Sequence, residues 1–243
     1  MNILYLAHRI PYPPDKGDKL RAFRQIEHLA RRHRVWCACF VDDPHDFRHV
    51  SGLRRHCHEL AAIEVRPRSA KIRGVWSLAR GSTITEGFYA SREMAALLTE
   101  WQSATSFDAV VAFSSGMAPY ALSVRARRRV LDLCDLDSQK WTDYAGHIEL
   151  KRRKNFRDRV LAVLYRIESA RLAAAELRWI DGFDAAVLAT AIETNPLRGV
   201  VGDRKMHVIG NGVELPPSHS VVPTGLGSSH LELPSDESLG YFR

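Results

Sequence analysis

Runs rich in apolar residues stand at 3–7, 35–41, 61–65, 108–113, 129–133, 185–189 and 205–209, unbroken at 3–7, 35–41 and 185–189 and carrying a charged residue in the others. Runs of that length, closed off by Gly, Pro, Asp or Ser, predict strands buried on both faces. Between them the period changes to that of a helix. Leu20, Phe23, Ile26 and Ala30 mark one over 19–33, with Asp18 as its expected N-cap. Helical stretches are also expected at 45–60, 71–80, 91–103, up to about 125, and between the last two strands. The longest covers 154–180, where Phe156, Val160, Val163, Ile167, Ala170, Ala174 and Leu177 recur at steps of four and three. That stripe predicts a helix docked on the sheet. Pro11, Pro13 and Pro14 keep the first loop out of helix. Strand and helix in regular alternation predict an α/β fold, a doubly wound parallel sheet with right-handed crossovers. Residues 216–243 are rich in Pro, Ser and Gly and have no period. They are expected to form a disordered tail, leaving 1–215 as one domain.

Composition narrows this only a little. With 243 residues, 45% hydrophobic and 26% charged, collagen-like, disulfide-scaffold and wholly disordered chains are excluded. Cys37 and Cys39 fall on one face of a strand, poor geometry for a mutual disulfide, and all four cysteines are expected as reduced thiols of a cytoplasmic protein. No apolar run reaches the ~20 residues of a membrane span, and the opening run is too short for a signal-peptide core. The net charge is +7, and residues 151–180 carry nine Lys or Arg against three Asp or Glu. Such a segment is either a solvated helix face or a contact for an anionic partner.

In an open parallel sheet, ligands bind beyond the carboxyl ends of the strands. Three loops fall there. In the first, Gly17 stands at the mouth of a helix whose N-terminus suits a phosphate, with Lys19 and Arg21 adding charge and Asp18 able to hold a sugar hydroxyl. The plainer reading is a capped strand-to-helix turn. In the second, Ser114 and Ser115 offer hydroxyls beside Gly116, or serve as a helix cap. In the third, Asp135 and Asp137 flank Leu136 ahead of Lys140. They are suited to sugar hydroxyls or to structural pairing with cations. There is no Gly-x-Ser-x-Gly elbow and no ligand set at metal spacing, so no bound metal is expected. No recognition-helix or base-stacking motif accompanies the charge, so nucleic acid is not an expected partner.

The opening Asn2-Ile3-Leu4-Tyr5-Leu6, with Pro11-Tyr12-Pro13-Pro14-Asp15-Lys16-Gly17-Asp18-Lys19-Leu20-Arg21, resembles the start of family 4 glycosyltransferases. It is most similar to the sugar transferases associated with PEP-CTERM and exosortase systems. Val130-Leu131-Asp132-Leu133, Asp135 to Trp141, Phe183 to Ala189, and Val208-Ile209-Gly210-Asn211-Gly212-Val213 extend the resemblance over about 1–215. The resemblance implies two facing Rossmann-like domains (the GT-B fold), this chain supplying the N-terminal, acceptor-side one. It implies a nucleotide-sugar donor, retention of anomeric configuration, no metal or other cofactor, and a glycan or lipid-linked acceptor in exopolysaccharide assembly. Gly17, Asp18, Lys19 and Arg21 would then face donor phosphates or the reacting sugar, and the loops at Ser114 and Asp135 the acceptor. Gly210 stands where the family commonly has Pro, and Thr190 where Ser is common. In the family the Asn-Gly-Val element leads into a donor-binding domain. The expectation is therefore a truncated or split transferase, inactive alone and completed by a separate C-terminal-domain chain. The basic segment 151–180 would rest on an anionic inner-membrane surface. A non-catalytic Rossmann-like module binding an anion or a partner is the alternative reading.

Overall fold

The computed structural model describes residues 1–150, 155–198, 200–202 and 205–212. The first unit is β1 (Asn2–Ala7), α1 (Gly17–Ala30) and β2 (Arg34–Val41). A 3-10 stretch (Pro44–His49), α2 (Val50–Arg54) and β3 (Glu59–Glu64) follow. Then come α3 (Pro67–Ala79), α4 (Ile84–Tyr89), α5 (Arg92–Ala104), β4 (Phe107–Phe113), α6 (Ala118–Ser123) and β5 (Ala126–Cys134). The chain continues through α7 (Asp137–Leu150), α8 (Phe156–Gly182), β6 (Ala185–Leu188), α9 (Ala191–Arg198) and β7 (Met206–Val208). The strands form one sheet in the order β3-β2-β1-β4-β5-β6-β7, every pairing parallel. This is a Rossmann-like, doubly wound α/β fold, as the alternation predicts.

The pleat sorts the core into two layers. Leu4 and Leu6 of β1 and Trp36, Ala38 and Phe40 of β2 face one layer, with Met94, Leu98, Ala121, Trp141, Leu172 and Trp179 from α5 to α8. Tyr5, Ala7, Val35, Cys37 and Cys39 face the other, against Phe23 and Ile26 of α1 and Leu53 of α2. Burial on both faces explains the unbroken apolar runs of β1 and β2, whereas β3 and β7, at the sheet edges, are only partly buried. All four cysteines are free.

Several expectations are corrected. The helix expected over 45–60 is short, because His58 already donates its amide to Val35 O and opens the β3 ladder. The helix α4 was not foreseen. Its signature is a capping box in which Thr83 and Glu86 satisfy each other's backbone amides. Asp18 is not the cap of α1. The helix starts at Gly17 after an extended Lys16 that makes no side-chain cap, and Asp18 lies in the first turn.

The largest correction concerns α8. Most of its expected core stripe faces outward: Phe156 is 83% exposed, Val163 56%, and Val160 and Ile167 are exposed as well, while Leu177 at its end packs against the core. The buried face carries Ala162, Glu168, Leu172, Ala175, Glu176, Trp179 and Ile180. On that face two carboxylates join the apolar Leu172, Ala175, Trp179 and Ile180, and each has a partner on another helix. Glu168 accepts the amides of Ile84 and Thr85 (2.5 and 3.0 Å) and the Thr85 hydroxyl, closing the start of α4. Glu176 accepts the amide and hydroxyl of Ser138 (3.1 and 2.5 Å), closing the start of α7. Orphan amides at a helix start need an acceptor, and here α8 supplies it twice. The expected tail 216–243 and the basic residues 151–154 lie outside the described residues.

Candidate functional site

The sheet order reverses direction between β1 and β4, so the crevice for ligands opens beyond Ala7 and Phe113. His8 follows β1 directly. Its ring stacks on Phe113 (5.8 Å between centroids, 18° between planes) and meets Tyr89 edge-on. His8 Nε2 lies 3.6 Å from Asp18 Oδ2, while its buried Nδ1 has no hydrogen-bond partner among the described residues. Arg9 reaches Asp18 (3.3 Å) and Asp42 (3.1 Å). Burial opposes the charge on Asp18. The hydrogen bond and charge of His8, the Arg9 guanidinium and the Lys19 amide outweigh it and hold the carboxyl well below the usual range.

Gly17, exposed at the first position of α1, has open space where a Cβ would be, and no left-handed φ. Neither steric crowding nor turn geometry demands glycine there. Lys19 is buried and donates to Asp46 (2.9 Å), with Asp15 at 3.8 Å. Arg21 forms a fork with Asp132 of β5, Nε to Oδ2 at 3.0 Å and Nη2 to Oδ1 at 3.2 Å. Its Nη1 donates to Ile209 O (2.8 Å) and Asn211 Oδ1 (2.9 Å) just after β7. One side chain of α1 thus ties the first helix to the middle and the far edge of the sheet.

Ser114 has φ 81° and ψ 151°, a left-handed backbone that costs a non-glycine residue of order 1–3 kcal/mol. Its amide donates to Asp132 O at 2.8 Å. Ser115, fully buried, donates its hydroxyl to Asp137. Asp137 also accepts from Lys140 Nζ at 3.1 Å, and Asp135 stands 3.5 Å from the same ammonium. Burial works against the Lys140 charge, but Asp137 and Asp135 override it and raise its pKa. Next to them, burial and then the Asp135 charge push the Cys134 thiol up to about 12, so it stays a neutral thiol.

The loops at 17–21, 114–115 and 135–137 therefore meet on one rim. Asp18 joins through His8 to Phe113, Arg21 through Asp132 to Ser114, and Ser115 to Asp137. Each of Arg9, Lys19, Arg21 and Lys140 faces at least one carboxylate. His8, Arg9 and Asp132 were not singled out in the sequence. The signal for Asp132 was a lone carboxylate inside the apolar run Val130–Leu133, which is tolerable only with a buried cation as partner. A groove of about 240 Å³ between α7 and α8, lined by Thr142, Gly146, Glu149, Arg166 and Ala170, belongs to the outer helical layer rather than to this rim.

No family model matches the chain, and no curated protein matches it. Among solved structures it is similar to the glycotransferase of kitacinnamycin, with 14% identity, a TM-score of 0.44, and 93% of this chain and 55% of that one covered. It is also similar to the N-terminal domain of Candida albicans trehalose-6-phosphate phosphatase, with 9% identity, a TM-score of 0.40, and 82% and 43% covered. The chain spans about half the length of these structures. Likeness at these values says nothing of chemistry, and the fold rests on the sheet itself.

Proposed function

We propose that this chain forms the acceptor-side wall of a nucleotide-sugar-dependent, retaining glycosyltransferase of the kind used in exopolysaccharide assembly. The observation that carries the reading is the rim at the switch-point crevice. There His8 and Arg9 hold Asp18, Lys140 holds Asp135 and Asp137, and Asp137 in turn takes the Ser115 hydroxyl. Carboxylates ordered by cations are strong acceptors for the hydroxyls of a glycan, and Ser115, fully buried with its proton given to Asp137, orients one of them. The opening loop's resemblance to family 4 transferases supports the same assignment. Because the rim cations are already paired, the α1 N-terminus is the part best suited to a phosphate.

Transfer also needs the donor held in line and its leaving phosphates neutralised, which is the task of a second wall. The one sheet of the described residues is read as the acceptor-binding wall, and turnover as needing a donor-holding wall in addition. Calorimetric titration of the purified chain with a panel of oligosaccharide acceptors and nucleotide-sugars tests this. Glycan binding weakened about tenfold by Asp137→Asn, with the melting temperature little changed, is the expected result. Binding of a nucleotide alone, indifferent to Ser115 and Asp137, would instead favour a non-catalytic anion-binding module.

A further inference from the structure

The outward stripe of α8 has no counterpart in the crevice chemistry. Phe156, Val160, Val163 and Ile167 line one side of the helix, and at ~100° per residue they lie nearly opposite the buried line through Leu172 and Trp179. The first turns of α8 are largely exposed, and so is Leu150 at the end of α7. Arginines border the stripe on both sides, Arg157 on one flank and Arg159 and Arg166 on the other, all exposed. Arg166 reaches Glu149 of α7 at 2.8 Å. A second exposed apolar set, Ile72, Val75 and Trp76, lies on α3, which Arg171 of α8 ties down by donating to Leu78 O and Ser82 O. No helix of the described residues is long and apolar enough to cross a membrane.

We infer that this face of α8 docks on the surface of an anionic bilayer, its apolar stripe entering the headgroup boundary while the flanking arginines meet lipid phosphates. An exposed apolar row costs free energy in water and is common where something covers it. The charges select the cover. Two copies of this face would bring arginine rows together, and a neutral apolar partner would leave them desolvated, whereas an anionic membrane satisfies both parts at once. The inference uses no residue of the rim and stands or falls apart from the transferase reading.

Flotation of the full chain with vesicles of phosphatidylcholine alone, or with about 30 mol% phosphatidylglycerol, tests it. The wild-type chain is expected to float with the anionic vesicles and stay behind with the neutral ones. The triple change Phe156→Ser, Val160→Ser and Val163→Ser should cut flotation at least tenfold with an unaltered circular dichroism melt, since these side chains touch solvent. Arg157→Gln with Arg159→Gln should weaken anionic binding severalfold by an independent route. The inference is overturned if the wild-type chain does not float, if either variant floats as well as wild type, or if neutral vesicles serve equally. It is equally overturned by a lipid-free dimer in sedimentation that the triple change dissolves, which would make the stripe a contact between copies.

Discussion

Removing the Asp132 carboxylate should be among the most damaging single changes in this fold. Its oxygens accept from Arg21 Nε and Nη2, from Gln25 Nε2 at 2.6 Å and from the Cys134 amide at 2.9 Å. Asp132 and Arg21 have side chains only 3% and 6% exposed. Asp132→Ala strands a guanidinium, an amide and a backbone N–H where water scarcely reaches. Breaking a buried pair from one side costs about 3–5 kcal/mol, because the remaining charge is left uncompensated. For a chain of this size that is on the order of 10 °C in melting temperature. Removing both charges, as Arg21→Met with Asp132→Leu, should recover part of the loss. The recovery is partial because Arg21 also holds Ile209 O and Asn211. Urea unfolding of the four species of the double-mutant cycle at pH 7 gives the coupling directly, expected at 2 kcal/mol or more. A loss below about 1 kcal/mol for Asp132→Ala, or a coupling near zero, would refute the claim that this pair locks α1 to the sheet.

Glu176 predicts a pH dependence. Burial first, then the Asp137 charge, pushes its carboxyl up to about 7, while an unfolded glutamate titrates near 4.5. Between those values the folded chain binds more protons than the unfolded one, so the Glu176 contribution is fully present below pH 4.5 and lost as pH rises through 7. At about 1.4 kcal/mol per unit the swing is on the order of 3 kcal/mol. Glu176→Gln should flatten stability against pH relative to wild type, and parallel curves in urea unfolding at pH 5.5 and 8 would count against it. Ser114→Gly should raise stability by about 1 kcal/mol by relieving the left-handed backbone, measured as an upward shift in melting temperature. Gly87→Ala should destabilise by about 1–3 kcal/mol in urea unfolding, because its methyl would lie 2.7 Å from Arg73 O and 2.8 Å from Gly74 Cα, where α3 crosses α4. Gly17→Ala meets nothing and should leave stability unchanged or slightly higher. Lost ligand binding in that stable variant would show that Gly17 admits a ligand rather than a turn.

The sheet was legible because a parallel strand is buried on both faces and betrays itself as a short apolar run. The rim was half legible. Gly17, Ser114 and Asp135 follow strand ends, and strand ends fix where ligands go. Pairing was not legible, because Arg21 and Asp132 are 111 positions apart and nothing local joins them. The clearest miss, the rotation of α8, has the same origin. A helical period identifies an apolar side but not which side the tertiary contacts claim. Glu168 and Glu176 look like solvent charges in a basic helix, yet they serve amides of two other helices that the sequence does not place nearby.

The rotation of α8 also bears on how the rim is built. Helix α7 begins at Asp137, whose carboxylate takes the Ser115 hydroxyl and the Lys140 ammonium. The next residue, Ser138, is held by Glu176 from beneath. Turning α8 to bury its apolar stripe would move Glu176 away from Ser138 and free the start of α7, and with it the carboxylate that joins the second loop to the third. The outward stripe and the ordered crevice are thus two results of one rotation. Glu176→Ala should accordingly weaken ligand binding at the rim, although Glu176 itself is buried behind it, and should do so more than Glu176→Gln, which keeps an acceptor for the Ser138 amide. Equal binding by the two variants would mean that α7 holds its start without help from α8.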